Sequence, residues 1–206
     1  MQIKVPASTG DPYVDDCFHF DFEEFEEPRR WAAMPGIKDI PYIADTDKQK
    51  ALTAAEAALK DNPDYSFLFY WIAKLRGSLG VAGEPQKTFL EGLQKGRNKP
   101  ILCGGLAMHA FERGDLAEAV KWWLKSAAVQ WNCKLSVDGF SLLNLAYIAE
   151  GLHMPECQAP LLKAAQEIQS IRFDAVGANQ RYQMAHAQGT LSIKKAIALL
   201  CSFYLK

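Results

Sequence analysis

Apolar residues recur at helical spacing through residues 66–133, in two consecutive blocks. Apolar positions that lie three and four residues apart mark one face of an amphipathic helix. The pattern predicts helices at 65–79 and 85–96, and again at 101–112 and 116–131. Short turns that contain glycine separate the two helices of each block. The centre of the chain is therefore predicted to hold two consecutive helix–turn–helix units.

The two central units are related by a constant offset in sequence. The paired positions are Ala73 and Ala107, Gly80 and Gly114, Phe89 and Trp123, and Gly92 and Ser126. Small residues at the first pair would let two helices approach closely, and the aromatic pair would fill the space between them. A period of about 34 residues, which this offset matches, is typical of helical pairs that stack into a solenoid.

The turn of the second unit carries residues that start helices. Gly114 supplies the backbone freedom of a tight turn. Asp115 follows it and is expected to cap the next helix with its side chain. Glu118 lies three residues further on, where it would complete a reciprocal capping box. We therefore expect the second helix of this unit to begin next to Asp115.

Related patterns flank the two central units. Asp45, Thr46 and Asp47 are good N-cap residues, and the helical run after them ends at Asn62. This run has the register of a second helix whose unit lacks the first. Downstream, a third unit follows at a slightly larger offset, with the extra residues placed in the loop around 132–136.

Two more helices are predicted near the C-terminus, at about 173–187 and 191–205. Gly189 and Thr190 separate them. The spacing of these helices fits the repeat only loosely. A degenerate fourth repeat and a simple pair of capping helices are both consistent with the pattern.

Residues 1–44 have a different character and are predicted to form an extended arm. Half of the ten prolines of the chain lie here, which argues against a long helix. Eight acidic residues and no Lys or Arg occur between Asp11 and Glu27. Phe18, Phe20 and Phe22 alternate with polar residues, as in a strand with one buried face. Such an arm would pack along the helices, or cover a groove on its own chain or on a neighbouring molecule.

Composition and charge narrow the expected classes of partner and the expected cellular location. The formal net charge is −1, which gives no reason to expect nucleic acid or an anionic membrane surface. No apolar run is long enough to cross a bilayer. The five cysteines are odd in number and scattered, so we expect reduced thiols rather than a disulfide framework. With no secretory leader at the start of the sequence, the expected location is cytoplasmic.

Twelve positions of the two central units carry a resemblance to a known family. They are Phe69, Ile72, Ala73, Gly80, Phe89 and Gly92, followed by Leu106, Ala107, Gly114, Ala119, Trp123 and Ser126. With these residues the chain is similar to the tetratricopeptide repeat family. The resemblance covers roughly residues 45–170. It departs from the family at Arg76, where an aromatic residue is usual, and at Cys103, where tryptophan is usual.

The resemblance implies an all-α fold in which residues 45–206 form a right-handed α–α superhelix. About three helix pairs would be followed by the C-terminal helices, with residues 1–44 as the extended arm. In this family the first helices of successive repeats line a concave groove that holds a peptide or a protein. The groove residues implied by position are Tyr70, Lys74, Met108, Phe111, Glu112, Asn144 and Tyr147.

The implied groove mixes aromatic and polar side chains, which favours an apolar or amphipathic peptide. Some members of the family clamp a terminal carboxylate with Lys and Asn residues. Gly104 and Met108 stand at two of those positions, which argues against this mode of binding. The alternative for any one of the seven implied groove residues is ordinary surface or packing between helices.

The sequence offers little that would support catalysis. His153 and Cys157 have metal-like spacing, but a closed zinc site needs four ligands and no second pair accompanies them. Cys17 and His19 suggest a nucleophile and a base, yet no third residue is placed to orient them. Phosphate-binding, dinucleotide-binding and hydrolase motifs are missing. We therefore expect no enzyme activity, no cofactor and no metal.

The sequence thus favours a non-catalytic scaffold or adaptor that binds a protein or peptide of unknown identity. The alternative is a self-associating structural subunit, a homo-oligomer in which the arm of one copy fills the groove of another. An enzyme or small-ligand protein without a recognisable motif is the third reading.

Overall fold

A computed structural model of the chain describes residues 4–20, 36–81, 84–96, 99–133, 139–168 and 175–205. Within these ranges there are eleven α-helices and no strand, which confirms the predicted all-α class. The helices are α1 (Pro12–Cys17), α2 (Ile40–Thr46), α3 (Lys48–Asp61), α4 (Ser66–Ser78), α5 (Glu84–Lys95), α6 (Lys99–Glu112), α7 (Leu116–Cys133), α8 (Phe140–Gly151), α9 (Pro155–Ile168), α10 (Ala175–Gln188) and α11 (Leu191–Tyr204).

Side-chain caps fix the starts of several helices. The Asp47 carboxylate accepts a hydrogen bond from the Lys50 backbone N–H at 2.9 Å and so starts α3. Asp115 accepts from the Glu118 N–H at 3.0 Å and starts α7, as predicted. The reciprocal half of the predicted capping box is wrong, because the Asp115 backbone N–H donates to the Ala110 carbonyl at 3.0 Å. The Glu118 carboxylate instead accepts from Trp122 Nε1 at 2.6 Å and pairs with Lys121.

Consecutive helices pack against each other from α2 to α9. Within this series α4 packs along α5, α6 along α7 and α8 along α9, and each pair also contacts the next. Glycines allow the closest approaches. A Cβ at Gly92 of α5 would lie 2.7 Å from Cβ of Phe69 on α4. Such contact between backbone and ring leaves no room for a larger residue.

Corresponding positions of the two central units have matching environments. Ala73 and Ala107 are fully buried, and the rings of Phe89 and Trp123 are buried beside them. The glycines of the two turns match as well, since Gly80 and Gly114 both have positive φ, at 76° and 79°.

The third unit repeats this turn without a glycine. His153 lies in the turn between α8 and α9 and also has positive φ, at 57°. A positive φ is uncommon for a residue other than glycine, although histidine tolerates it better than most. The turns between α4 and α5, α6 and α7, and α8 and α9 therefore each contain a residue in the left-handed region.

Arg76 shows what replaces the aromatic residue that the family resemblance implies at this position. Its guanidinium lies 2.8 Å from a carboxylate oxygen of Glu56 and 3.2 Å from one of Glu84. It also donates to Thr88 Oγ1 at 3.0 Å. Arg76 thereby joins α3 and α5 across α4 by charge-assisted hydrogen bonds in place of aromatic packing.

The predicted extended arm contains two helices, so this part of the prediction is wrong for the described residues. Pro12 and Pro41 lie in the first turns of α1 and α2, where the missing N–H of proline costs no helical hydrogen bond. Phe18 and Phe20 of the predicted strand follow α1 without forming a strand, and Phe22 lies outside the described residues. Helix α2 also crosses the predicted domain boundary after residue 44.

Residues 11–20 of the N-terminal segment lie on α7 and α11. The Tyr13 hydroxyl donates to the Ala117 carbonyl at 2.8 Å. The Asp11 carboxylate accepts from Ser192 Oγ at 2.8 Å. The ring of Phe18 stacks on Tyr204 with 6.0 Å between centroids. Residues 11–20 therefore pack on helices of their own chain. This was one of the two expectations for the arm.

The C-terminal helices do not form a fourth pair like the others. Helix α10 packs on α8, whereas α11 packs on α7, α9 and α1. Within the described residues, α10 and α11 barely contact each other although only Gly189 and Thr190 separate them. In the described residues they therefore do not pack side by side as α4 and α5, α6 and α7, or α8 and α9 do.

Candidate partner-binding face

The seven predicted groove residues lie on α4, α6 and α8, and the structure divides them into two groups. Tyr70 and Lys74 on α4, with Glu112 at the end of α6, keep solvent access. Phe111, Asn144 and Tyr147 are 8%, 6% and 3% exposed. Arg181 of α10 contacts Phe111 and Asn144 of this second group, and Met108, the seventh residue, is half-buried. Whether the seven residues bind a partner stays a prediction.

Aromatic side chains line one side of α4. Phe67, Tyr70, Trp71 and Lys74 are spaced i, i+3, i+4 and i+7, so they share one helix face. The Trp71 ring lies 6.0 Å from Tyr70 and 6.1 Å from Phe67, edge to face with each. These half-buried rings form a continuous apolar platform, which we call the α4 platform.

Lys74 adds a positive charge to the α4 platform. Its ammonium nitrogen lies 4.7 Å from the centroid of the Trp71 ring and 6.0 Å from that of Tyr70. Both distances are within the range of a cation–π interaction. Lys74 is exposed, so its charge remains accessible from solvent. The platform can thus receive an apolar group and a carboxylate side by side.

Like Phe67, Trp71 is a residue of the α4 platform that the predicted groove did not include. Its indole Nε1 is buried and has no hydrogen-bond acceptor among the described residues. An unsatisfied buried donor of this kind costs about 1–3 kcal/mol. The sequence signal for Trp71 was its place one turn after Phe67 and one residue after Tyr70, which puts it at the edge of the predicted groove.

Three of the seven predicted residues, Met108, Phe111 and Asn144, contact the side chain of Arg181, which projects from α10. The guanidinium carbon lies 4.8 Å from the Phe111 ring centroid and 6.0 Å from that of Trp123. Nε donates to Asn144 Oδ1, and Nη2 lies 3.6 Å from Met108 Sδ. Four side chains of α6, α7 and α8 therefore converge on one cation of α10.

The close approach of α10 depends on Gly151 at the end of α8. A Cβ there would lie 2.6 Å from the Tyr182 carbonyl oxygen and 2.9 Å from Cβ of Ala185. Sequence reasoning placed α10 but not its contacts, because periodicity does not say which neighbour a helix packs on. Arg181 was missed for the same reason.

The candidate catalytic and metal residues are not brought together. Cys17 is fully buried and burial raises the pKa of its thiol to about 12, while His19 is exposed. His153 is exposed and Cys157 is buried, so this pair does not share a site. In the part of the chain that the structure describes, no three His, Cys, Asp or Glu side chains are grouped to hold a metal ion.

Two lysines are buried away from the α4 platform. Burial lowers the pKa of Lys99 and of Lys125. Lys99 donates to the Leu93 carbonyl, and Lys125 donates to the His19 carbonyl and lies 5.6 Å from the ring centroid of Phe20. Each ammonium group thus donates to a backbone carbonyl, and Lys125, which also lies 3.9 Å from a carboxylate oxygen of Asp16, helps to hold the N-terminal segment.

The chain matches no protein-family model, no curated protein and no solved structure. Among the described helices, none combines the length and apolarity needed to span a bilayer.

Proposed function

We propose that this chain is a non-catalytic adaptor that binds a protein or peptide partner on the face of α4 and α6. The observation that carries the proposal is the α4 platform, in which the exposed ammonium of Lys74 stands over the ring of Trp71. The matching environments of corresponding positions in the two central units further support a stack of tetratricopeptide-like helix pairs with this face along its groove.

The chemistry of the face suggests the kind of partner. Tyr70 and Trp71 offer apolar ring surface, and Met108 on α6 offers a flexible thioether that adapts to different side chains. Lys74 favours an acidic residue in the partner, and the exposed Glu112 favours a basic one at the far end of the face. An amphipathic peptide with an apolar anchor and an acidic neighbour fits this arrangement.

The self-associating alternative has less support. It requires the N-terminal arm of one copy to enter the groove of another, whereas residues 11–20 are bound to α7 and α11 of their own chain. The buried cysteines Cys17, Cys103 and Cys157 are free thiols, in keeping with a reducing compartment such as the cytosol.

Selection of peptides from a displayed random library tests the proposal. Peptides selected on the full chain should bind it in solution, and Lys74→Glu should weaken binding by roughly tenfold, which corresponds to about 1.4 kcal/mol. Lys87→Glu on the exposed side of α5 is the matched control, because it makes the same charge change away from the α4 platform.

Fluorescence anisotropy with labelled peptides gives the dissociation constants. Equal affinity for the wild-type chain, Lys74→Glu and Lys87→Glu would place the binding site elsewhere and refute the proposal. Light scattering on the same samples reports oligomeric state. A dimer that dissociates when residues 1–20 are removed would favour the self-associating alternative instead.

A further inference from the structure

The pocket around Arg181 is built for a flat cation. Its walls are the rings of Phe111 and Trp123, with the amide of Asn144 and the thioether of Met108 at the edges. Ring faces attract a cation, and a planar guanidinium can stack on them while its N–H groups donate in its own plane. The described contacts of Arg181 follow this pattern, with Nη1 donating to the Gly177 carbonyl at 2.8 Å.

An ammonium group would use the same pocket less well. Lysine carries a compact, strongly hydrated charge and lacks the planar fork that reaches Asn144 and Met108 together. The pocket wall is also largely buried, since Phe111 is 8% and Asn144 6% exposed. Removing an ammonium from water into such a site is costly when its three donors do not all find acceptors.

Helix α10 packs on α8 through Ala185, which is buried, and through Ala178 and Met184, which are partly buried. Of residues 177–188, only Gly177 and Ala185 are buried. The helix barely contacts α11 within the described residues and packs mainly on α8. Segments with little buried apolar surface open at lower cost than the core of a protein does. Arg181 adds a polar attachment of α10 to α6, α7 and α8 beside this apolar packing.

We propose that Met108, Phe111, Trp123 and Asn144 form a binding pocket for an arginine side chain, which Arg181 fills in cis. Helix α10 then acts as an internal competitor for any partner that presents an arginine to this face. This extends the proposed partner-binding face from α4 and α6 to α8. The competition with a partner rests on the proposed function, whereas the pocket itself can be tested without any partner.

The test uses the full chain with Arg181→Ala and a small probe, ethylguanidinium, at millimolar concentration. NMR titration should show that the probe binds the variant near Phe111 and Asn144 and does not bind the wild-type chain, whose pocket is filled. Ethylammonium at the same ionic strength should not bind. Hydrogen exchange of the α10 amides should be roughly tenfold faster in the variant and should slow again with ethylguanidinium.

Two further variants make the assignment specific. Gln183→Ala changes an exposed residue of α10 and should leave hydrogen exchange and probe binding as in the wild-type chain. The double variant Arg181→Ala, Phe111→Leu keeps apolar bulk but removes the ring face, and it should no longer bind ethylguanidinium.

Each remaining outcome decides the proposal. A folded Arg181→Ala chain that binds neither probe, or both equally, would overturn it, as would a wild-type chain that binds ethylguanidinium equally well. If Arg181→Ala does not fold, ethylguanidinium should restore folding, and Phe111→Leu alone should accelerate exchange in α10. If ethylguanidinium does not restore folding and Phe111→Leu does not accelerate exchange, the proposed pocket is also overturned.

Peptide selection on Arg181→Ala tests the competition in trans. Peptides selected on this variant should be richer in arginine than those selected on the wild-type chain. Equal arginine content would refute competition while leaving the pocket intact. Binding at the α4 platform, measured with Lys74→Glu, is independent of this result, so the two proposals can fail separately.

Discussion

Gly105 of α6 lies directly under the ring of Phe89 of α5. A Cβ added at Gly105 would lie 2.6 Å from Cζ of that ring, closer than real side-chain contacts. Its neighbour Gly104 has open space, with the nearest atom, Ser141 Oγ, 3.9 Å from an added Cβ. Two adjacent glycines of one helix therefore have opposite packing requirements.

Gly105→Ala should destabilise the fold, and Gly104→Ala should not. The first change forces Phe89 out of a buried position and should lower the free energy of unfolding by about 1–3 kcal/mol. Gly104→Ala removes the cost of a glycine inside a helix and should raise the free energy of unfolding by about 0.5–1 kcal/mol. Urea denaturation of both variants measures the difference. Similar effects of the two substitutions would show that α5 and α6 do not meet at Gly105.

Arg76→Ala should lower the free energy of unfolding by about 1 kcal/mol, because partly exposed ion pairs contribute about 0.2–1 kcal/mol each. Arg76 makes two such pairs, with Glu56 and Glu84. The loss should shrink at high salt, which screens these charges. Arg113→Ala is the control, since Arg113 makes a single exposed hydrogen bond to Gln86. An effect of Arg76→Ala that is independent of salt would indicate packing rather than charge.

The N-terminal segment should detach in acid. The hydrogen bond from Ser192 lowers the pKa of Asp11, and that from Ser8 lowers the pKa of Asp15, both below the ordinary value of 3.8. A carboxyl group whose pKa is lower in the folded state than in the unfolded state stabilises the fold at pH values above its unfolded-state pKa. This stabilisation is lost as the pH falls through its folded-state pKa. Docking of residues 11–20 should therefore be complete near neutral pH and weaken below about pH 4.

The amide resonances of Tyr13 and Val14, followed by NMR during acid titration, report this detachment. Asp11→Asn with Asp15→Asn is the comparison, because asparagine can still cap α1 while neither residue titrates. A transition in acid that persists unchanged in this double variant would assign the pH dependence to other groups.

Cys17 and Cys103 should resist alkylation in the folded chain. Burial raises the pKa of each thiol to about 12, so almost no reactive thiolate is present near neutral pH. Iodoacetamide labelling with mass spectrometry should modify both only after unfolding. Ser192→Ala, which removes the hydrogen bond from α11 to Asp11, should speed labelling of Cys17 on α1 but leave Cys103 in α6 protected. Parallel labelling of the two thiols would contradict separate detachment of the segment.

The sequence predicted most of the helices because their signals are local. Glycine and capping residues at the turns, such as Gly114 and Asp115, fix where helices end and begin, and apolar spacing fixes which face is buried. The two helices of the N-terminal segment were missed because proline was taken as a barrier. Pro12 and Pro41 instead occupy first turns, the one part of a helix that tolerates them.

The candidate site was predictable only in part. Tyr70 and Lys74 followed from position within the repeat, whereas the burial of Phe111, Asn144 and Tyr147 did not. Phe111 and Asn144 contact Arg181 of α10, an arginine that looks like a surface residue until its neighbours are known. Contacts between distant segments, such as Arg181 with Met108, leave no periodic signal in a single sequence.

The short joint at Gly189 and Thr190 has a consequence for partner choice. Helix α10 is attached to α11 on one side and to the chain after α9 on the other. A segment tethered in this way acts at an effective concentration of about millimolar, whatever the amount of protein in the cell. On the proposal above, a free partner must outcompete that concentration. A ligand that binds the arginine pocket weakly would therefore displace Arg181 only if it also bound the α4 platform.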